Sequence, residues 1–188
     1  RAALALSATP LIAVGASSGS GLSLVRSSDG AEAAHVRTAM PPRPARPCAA
    51  VAWQGDGRVL AAGLERERSA RADSSCVFLW DCGALAPDGG GAPAFAGALG
   101  QNESATALSW NAHVPATLAV GTGHMRGQLR VYDIRLAGDD GRSPAGAVAE
   151  PIGREGSRAA LSVLAHAKTV RGVATEPHEG RLLATWSD

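Results

Sequence analysis

The chain is poor in the residues that usually announce cross-linking or redox chemistry. Its 188 residues include three cysteines, Cys48, Cys76 and Cys82. An odd, sparse set with no C-x-x-C pattern argues against a disulfide framework and fits a reducing compartment. Cys76 and Cys82 flank a strand-like run, so both cannot easily face one ion, and core or edge thiols are the simpler reading. Aromatic residues make up only 4% of the chain. Charge of one sign is not in excess. The formal net charge is +1, which removes the broad basic footprint of a nucleic-acid binder. Short basic stretches such as Arg43-Pro44-Ala45-Arg46 read as solvated loop. No apolar run reaches the roughly 18 residues of a membrane span, so no direct membrane insertion is expected. The start, Arg1 to Leu6, lacks Met and any leader pattern. With Asp188 falling in what reads as mid-repeat, the chain is expected to be a piece of a longer soluble protein.

Catalytic patterns are equally scarce. No Gly-Lys-Ser or Gly-Lys-Thr occurs, so there is no P-loop. Gly121-Thr122-Gly123-His124-Met125-Arg126 lacks the third glycine of a dinucleotide loop. The histidines His35, His113, His124, His166 and His178 show no metal-ligand spacing with each other or with cysteine. Gly15-Ala16-Ser17-Ser18-Gly19 matches G-x-S-x-G in form. A nucleophile elbow needs strand, sharp turn and helix, whereas Leu22-Ser23-Leu24-Val25 downstream is strand-like. A strand-turn-strand reading is better, with Ser17 in the turn. Asn102-Glu103-Ser104 is a glycosylation sequon that a cytosolic protein would leave unused. No catalytic, cofactor-binding or metal-binding residue is expected.

What the chain does have is 45% hydrophobic residues, 23 glycines and 11 prolines. Short apolar runs between Gly- and Pro-marked turns indicate an all-β domain. The runs also repeat. Cys48-Ala49-Ala50-Val51-Ala52-Trp53 is followed by a polar turn and Val59-Leu60-Ala61-Ala62-Gly63-Leu64. Ala105-Thr106-Ala107-Leu108-Ser109-Trp110 is followed by a loop with Pro115 and then Thr117-Leu118-Ala119-Val120-Gly121-Thr122. Val170-Arg171-Gly172-Val173-Ala174-Thr175 is followed by Glu176 to Gly180 and then Leu182-Leu183-Ala184-Thr185-Trp186-Ser187. Ala5-Leu6-Ser7 with Leu11-Ile12-Ala13-Val14-Gly15 is an earlier relative. Third strands close the middle units as Val77-Phe78-Leu79-Trp80-Asp81 and Leu129-Arg130-Val131-Tyr132-Asp133.

Each unit is too small to bury both faces of its sheet, so it needs neighbours. Small residues in the second strand suit the crowded interior of a radial stack. Trp80 or Tyr132 buries a large area, and Asp81 or Asp133 is placed to accept hydrogen bonds in the next turn. The expected fold is therefore an all-β, WD40-type β-propeller, partial, with about three to four blades. Residues 1–44 read as a first partial blade and linker, and 45–188 as the WD-repeat blades, truncated at the carboxy end. Trp53 and Trp110 stand 57 positions apart, more than the roughly 40–45 of a WD repeat. The excess falls in inserts at 65–74, 83–103 and 136–164, which can also carry fourth strands; Ala160 to Leu164 is one candidate.

The structural signature is expected at Trp53, Trp80, Asp81, Trp110, Tyr132, Asp133, His166, Ser187 and Asp188. The regular placement of Trp53, Trp80, Trp110 and Trp186 on strands favours core packing over base stacking. In the last unit, His166, Ser187 and Asp188 match the WD positions that form a buried hydrogen-bond set. Satisfaction within the core, not catalysis, is the reading for His166.

Several stretches resemble one WD family. Residues 45–53, Leu60 to Glu65 and Val77 to Asp81 are similar to the amino-terminal propeller of the Mio (missing oocyte) proteins. So are Leu99-Gly100-Gln101-Asn102-Glu103, Leu108-Ser109-Trp110, Leu129 to Arg135 and Lys168 to Val173. The resemblance runs over roughly residues 45–188. It implies a subunit of the GATOR2 complex, SEA in yeast, which promotes TORC1 signalling in response to amino acids. The implied partners are Seh1-like and Sec13-like propellers and larger WD-RING subunits. The implied location is cytoplasmic, peripheral at the lysosomal or vacuolar membrane through the complex. Family members continue into a helical solenoid and a zinc-binding end that this sequence does not contain. The Gly- and Ala-rich inserts depart from the family. The alternative is a WD-repeat scaffold of another assembly, such as a vesicle coat, nucleoporin or ubiquitin-ligase receptor. A hydrolase built on Ser17 stands third.

Overall fold

In the computed structural model the described residues are 3–6, 11–16, 21–36, 46–66, 75–85, 91–99, 103–123, 126–134 and 159–188. They form fourteen strands in four antiparallel sheets. The first sheet holds β1 (Ala3–Leu6), β2 (Leu11–Gly15), β3 (Leu22–Arg26) and β4 (Glu32–Val36). The second holds β5 (Cys48–Trp53), β6 (Val59–Leu64), β7 (Val77–Asp81) and β8 (Ala94–Leu99). The third holds β9 (Ala105–Trp110), β10 (Thr117–Thr122), β11 (Gly127–Asp133) and β12 (Leu161–His166). The fourth is a pair, β13 (Val170–Thr175) and β14 (Leu183–Ser187). Within each sheet the strands pair in chain order. The opening stretch, read from the sequence as a partial blade, carries a full four-stranded sheet. Its last strand, Glu-Ala-Ala-His-Val, has too little apolar alternation to stand out in the sequence.

Alternation drives these strands. In β2 every second residue is buried, the period-2 pattern of a sheet packed on one face. In β6 and β10 five consecutive residues are buried, because both faces are covered by neighbouring sheets. The small residues read as suited to crowding are indeed crowded. A Cβ on Gly63 would stand 2.7 Å from the carbonyl oxygen of Ala105 in the next sheet. A Cβ on Gly121 would stand 2.6 Å from Val170 Cγ1. Glycine at these two positions lets one sheet's second strand touch the next sheet's first.

The core lies in the seams between sheets. Leu11, Ala13, Leu22, Leu24 and Val36 of the first sheet pack with Cys48, Trp53, Phe78 and Trp80 of the second. Ala61, Val77, Leu79 and Leu99 of the second pack with Ala105, Leu118 and Tyr132 of the third. Ala107, Ala119 and Leu129 of the third pack with Val170 and Val173 of the fourth. Two expected fourth strands lie inside the inserts, β8 and β12. β12 pairs along β11 with Leu129 opposite Val163.

Candidate functional site

The signature aromatic residues all sit in seams. Trp53 and Trp110 end the first strands of sheets two and three, and Trp80 and Tyr132 lie on the third strands. All four are buried, whereas Trp186, expected in the core with them, is 52% exposed, because it lies on the face of β14 that alternates away from the third sheet. Trp80 faces the first sheet in an edge-on cluster, with ring centroids 5.9 Å from Phe78 and 6.1 Å from Phe95. Phe78 in turn carries the guanidinium of Arg46 at 5.4 Å from its ring centroid, a cation–π contact inside the fold. Trp110 donates its indole N–H to the carbonyl of Ala52 in the preceding sheet at 3.1 Å. Trp53 has no equivalent bond among the described residues.

Asp81 closes β7 by accepting the backbone N–H of Gly83 at 2.8 Å. That bond, with help from Arg58 at 3.3 Å, holds its carboxyl below the ordinary carboxylate range. Asp133 occupies the same register place on β11, opposite Thr117, as Asp81 does opposite Val59. Beside Asp81 is an open depression of about 640 Å³ lined by Asp56, Arg58, Asp81, Gly83, Leu85 and Ala94. The ion pair of Arg58 with Asp81 there faces solvent.

The last unit differs from its sequence reading. His166, Ser187 and Asp188 do not form one buried set. His166 Nε2 lies 2.9 Å from the hydroxyl of Thr185. Ser187 bonds only weakly to the carbonyl of Asp188, at 3.4 Å. Asp188 is exposed and receives Arg171 Nη2 at 2.7 Å. The period of the strand explains the change. Residues 183, 185 and 187 share the face of β14 toward the third sheet, and the ring at the end of β12 reaches the middle one. Alternation puts Thr185 and Ser187 on one face of β14, and only the packing of β12 beside it decides that the ring reaches Thr185.

Sequence reading also missed the polar stitching between turns. Gln54 Nε2 donates to the carbonyl of Pro115 at 2.6 Å, and Asn111 Nδ2 to that of Gly180 at 2.8 Å. Both residues immediately follow a strand-ending tryptophan, and each ties its turn to the corresponding turn of the next sheet. Their regular position after Trp53 and Trp110 is the signal that could have found them. Glu176 caps the last of these turns by accepting the backbone N–H groups of His178, Glu179 and Gly180. Those bonds, the Glu179 one foremost, hold its carboxyl below the ordinary carboxylate range.

The thiols are core groups. Burial pushes Cys48 and Cys82 up to about 12. Burial also raises Cys76, opposed in part by Arg46 beside it. Among the described residues no group of three or more His, Cys, Asp or Glu is placed to hold a metal ion. No described helix is long and apolar enough to cross a membrane. Ser17, His124, the linker at 37–45 and the Gly-rich stretches at 88–90 and 138–141 lie outside the described residues.

Four-stranded antiparallel meanders packed face to face through small second strands and aromatic third strands are the blades of a β-propeller. Solved structures agree. The chain is similar to one in a crystal structure of the mitotic checkpoint complex, at 18% identity and a TM-score of 0.61. It is also similar to one in the hydrazine synthase of Kuenenia stuttgartiensis, at 12% identity and a TM-score of 0.65. Both are propeller proteins. In each case 97% of this chain aligns with 42% of the other, so it spans less than half the length of these neighbours. No protein-family model and no curated protein sequence matches. This is a β-propeller fold. One of the two neighbours bears an enzyme's name, so the propeller itself decides nothing about catalysis.

Proposed function

We propose that this propeller is a non-catalytic scaffold that binds other proteins. The observation that carries the proposal is the occupation of its polar signature by the fold. Asp81 is spent on Gly83 and Arg58, His166 on Thr185, and the indole of Trp110 on Ala52. What then remains for function is surface: turns, strand edges and the outer faces of blades. A similar fold within a multi-protein checkpoint complex supports protein–protein contact in general.

The narrower proposal is a Mio-like subunit of GATOR2 or SEA, acting in TORC1 signalling from the cytoplasmic side of the lysosomal or vacuolar membrane. Its support is the sequence likeness over residues 45–188, most telling at Leu99-Gly100-Gln101-Asn102 and at the Trp80-Asp81 blade with the charged insert before it. Its partners would be Seh1-like and Sec13-like propellers and larger WD-RING subunits. A WD scaffold of another assembly is the second reading, and the checkpoint-complex neighbour is the observation that favours it.

Native size fractionation of extract from the source cell tests the scaffold. The protein is expected to elute far above its own mass, in fractions that hold other proteins in fixed ratio. Elution as a free monomer would overturn the scaffold reading. Ser17 supplies the enzymatic counter-test. Labelling by a serine-directed fluorophosphonate that disappears in Ser17→Ala would make the protein a hydrolase.

A further inference from the structure

Three turns of one rim, β5–β6 (54–58), β9–β10 (111–116) and β13–β14 (176–182), are joined to one another by side chains. Asn111 is buried and uses both ends of its amide. Its Oδ1 accepts the backbone N–H groups of His113 at 2.8 Å and Val114 at 3.0 Å, which folds its own turn. Its Nδ2 donates to the carbonyl of Gly180 at 2.8 Å, in the next turn. The opposite amide orientation would set an NH2 group against two N–H donors, so these bonds fix the assignment. His113 adds a second tie, with Nε2 at 2.9 Å from the carbonyl of Pro177. A carbonyl only accepts, so that nitrogen carries the proton.

The two carbonyls that receive these ties are aimed by Glu176. Its carboxylate gathers the N–H groups of His178, Glu179, Gly180 and Arg181. A planar trans peptide points its N–H and its C=O in opposite directions. The peptide that gives the His178 N–H to Glu176 therefore turns the Pro177 carbonyl outward, toward His113. The peptide that gives the Arg181 N–H turns the Gly180 carbonyl outward, toward Asn111. On the other side of the β9–β10 turn, Gln54 Nε2 grips the carbonyl of Pro115 at 2.6 Å.

We propose that Glu176 anchors a relay that couples these turns across three sheets. Its carboxylate orients the Pro177 and Gly180 carbonyls, these hold His113 and Asn111, and Asn111 folds the turn that Gln54 grips. The order of the β9–β10 turn is thus set in part by a carboxylate in the following sheet. Coupling of this kind is reciprocal, so whatever steadies the β9–β10 turn also steadies the β13–β14 turn. The relay is internal to the fold and holds whether or not the protein is a scaffold.

Amide hydrogen exchange, read residue by residue by NMR at neutral pH, tests the relay. Glu176→Gln keeps the side-chain size but leaves one accepting oxygen and turns an NH2 group on the gathered N–H groups. Exchange should rise about fivefold at His178, Glu179 and Gly180, where the hydrogen bonds are lost directly. It should also rise about threefold at Val114 and Thr117, whose N–H groups close the β9–β10 turn. Asn111→Asp with His113→Ala cuts both ties yet keeps an acceptor for the Val114 N–H. By itself this pair should speed exchange at His178 and Gly180, the reciprocal effect. Added to it, Glu176→Gln should no longer change Val114 or Thr117. Acceleration confined to 178–180 in the parent background would overturn the proposal. So would equal acceleration at Val114 with and without the Asn111→Asp and His113→Ala pair. Uniform acceleration that includes β6 and β10 would overturn it as well, since the relay acts on turns alone.

Discussion

At the scale of single residues, the fold rests on aromatic rings placed in seams. Trp80 is 4% exposed and touches two phenylalanines edge-on. Trp80→Ala is expected to cost about 3–5 kcal/mol, the usual range for an aromatic deletion in a packed core. A denaturant titration measures it, and an unchanged midpoint would contradict the burial. The two strand-ending tryptophans should behave differently. Trp110→Phe keeps most of the ring but loses the indole bond to the Ala52 carbonyl, which costs on the order of 1 kcal/mol beyond the volume change. Trp53→Phe removes an indole N–H that has no partner among the described residues, so it should cost less. Paired melts of the two variants give the order. The thiols make a third case. Cys48, Cys76 and Cys82 are all buried and shifted upward, and a buried thiol that stays protonated is a poor nucleophile. A disulfide reagent should modify none of the three at neutral pH until the protein is unfolded.

At the scale of elements, turns that cap themselves with carboxylates set the response to acid. Asp81 and Glu176 both titrate below the ordinary range when folded, chiefly through backbone N–H groups. A lowered folded value means the stabilisation is complete above the unfolded value, about 4, and is lost as pH falls through the folded one. Stability should therefore hold steady from pH 7 to about pH 5 and decline below about pH 4. The variant with Asp81→Asn and Glu176→Gln should start less stable and lose less on acidification. Melts across that range check the sign. Most elements were readable in advance, because β5, β6, β7, β9, β10 and β11 combine apolar alternation with a punctuating Trp, Tyr or Asp. β4 was not, since Glu32–Val36 is held by pairing to β3 and carries little pattern of its own. Nor was the bond from His166 to Thr185, because sequence position alone cannot say which of two hydroxyls on one strand face a neighbouring ring will reach.

At the scale of the whole molecule, incomplete burial within single sheets decides the architecture. A sheet with Leu79 on one face and Trp80 on the other must be covered on both sides, and the seams supply that cover. Which surface carries function was not readable from the sequence, because partner contacts depend on turns and edges whose residues follow no repeat. The stitching by Gln54 and Asn111 shows this. It orders the turns along one rim of the blades, yet its logic appears only when consecutive sheets stand side by side. The same limit separates the general scaffold from its assembly. Trp80–Asp81 and Tyr132–Asp133 are blade chemistry that many propellers share, whereas a role in one particular assembly would be written in surfaces beyond that signature.

The measurement that tests the scaffold most directly is affinity purification of the tagged protein from its own cell, with mass spectrometry of what accompanies it. The account predicts a reproducible set of protein partners. Seh1-like and Sec13-like propellers with larger WD-RING subunits would establish the nutrient-signalling assembly, and a different stable set would leave the scaffold and remove the Mio assignment. Recovery of the protein alone would contradict the scaffold itself.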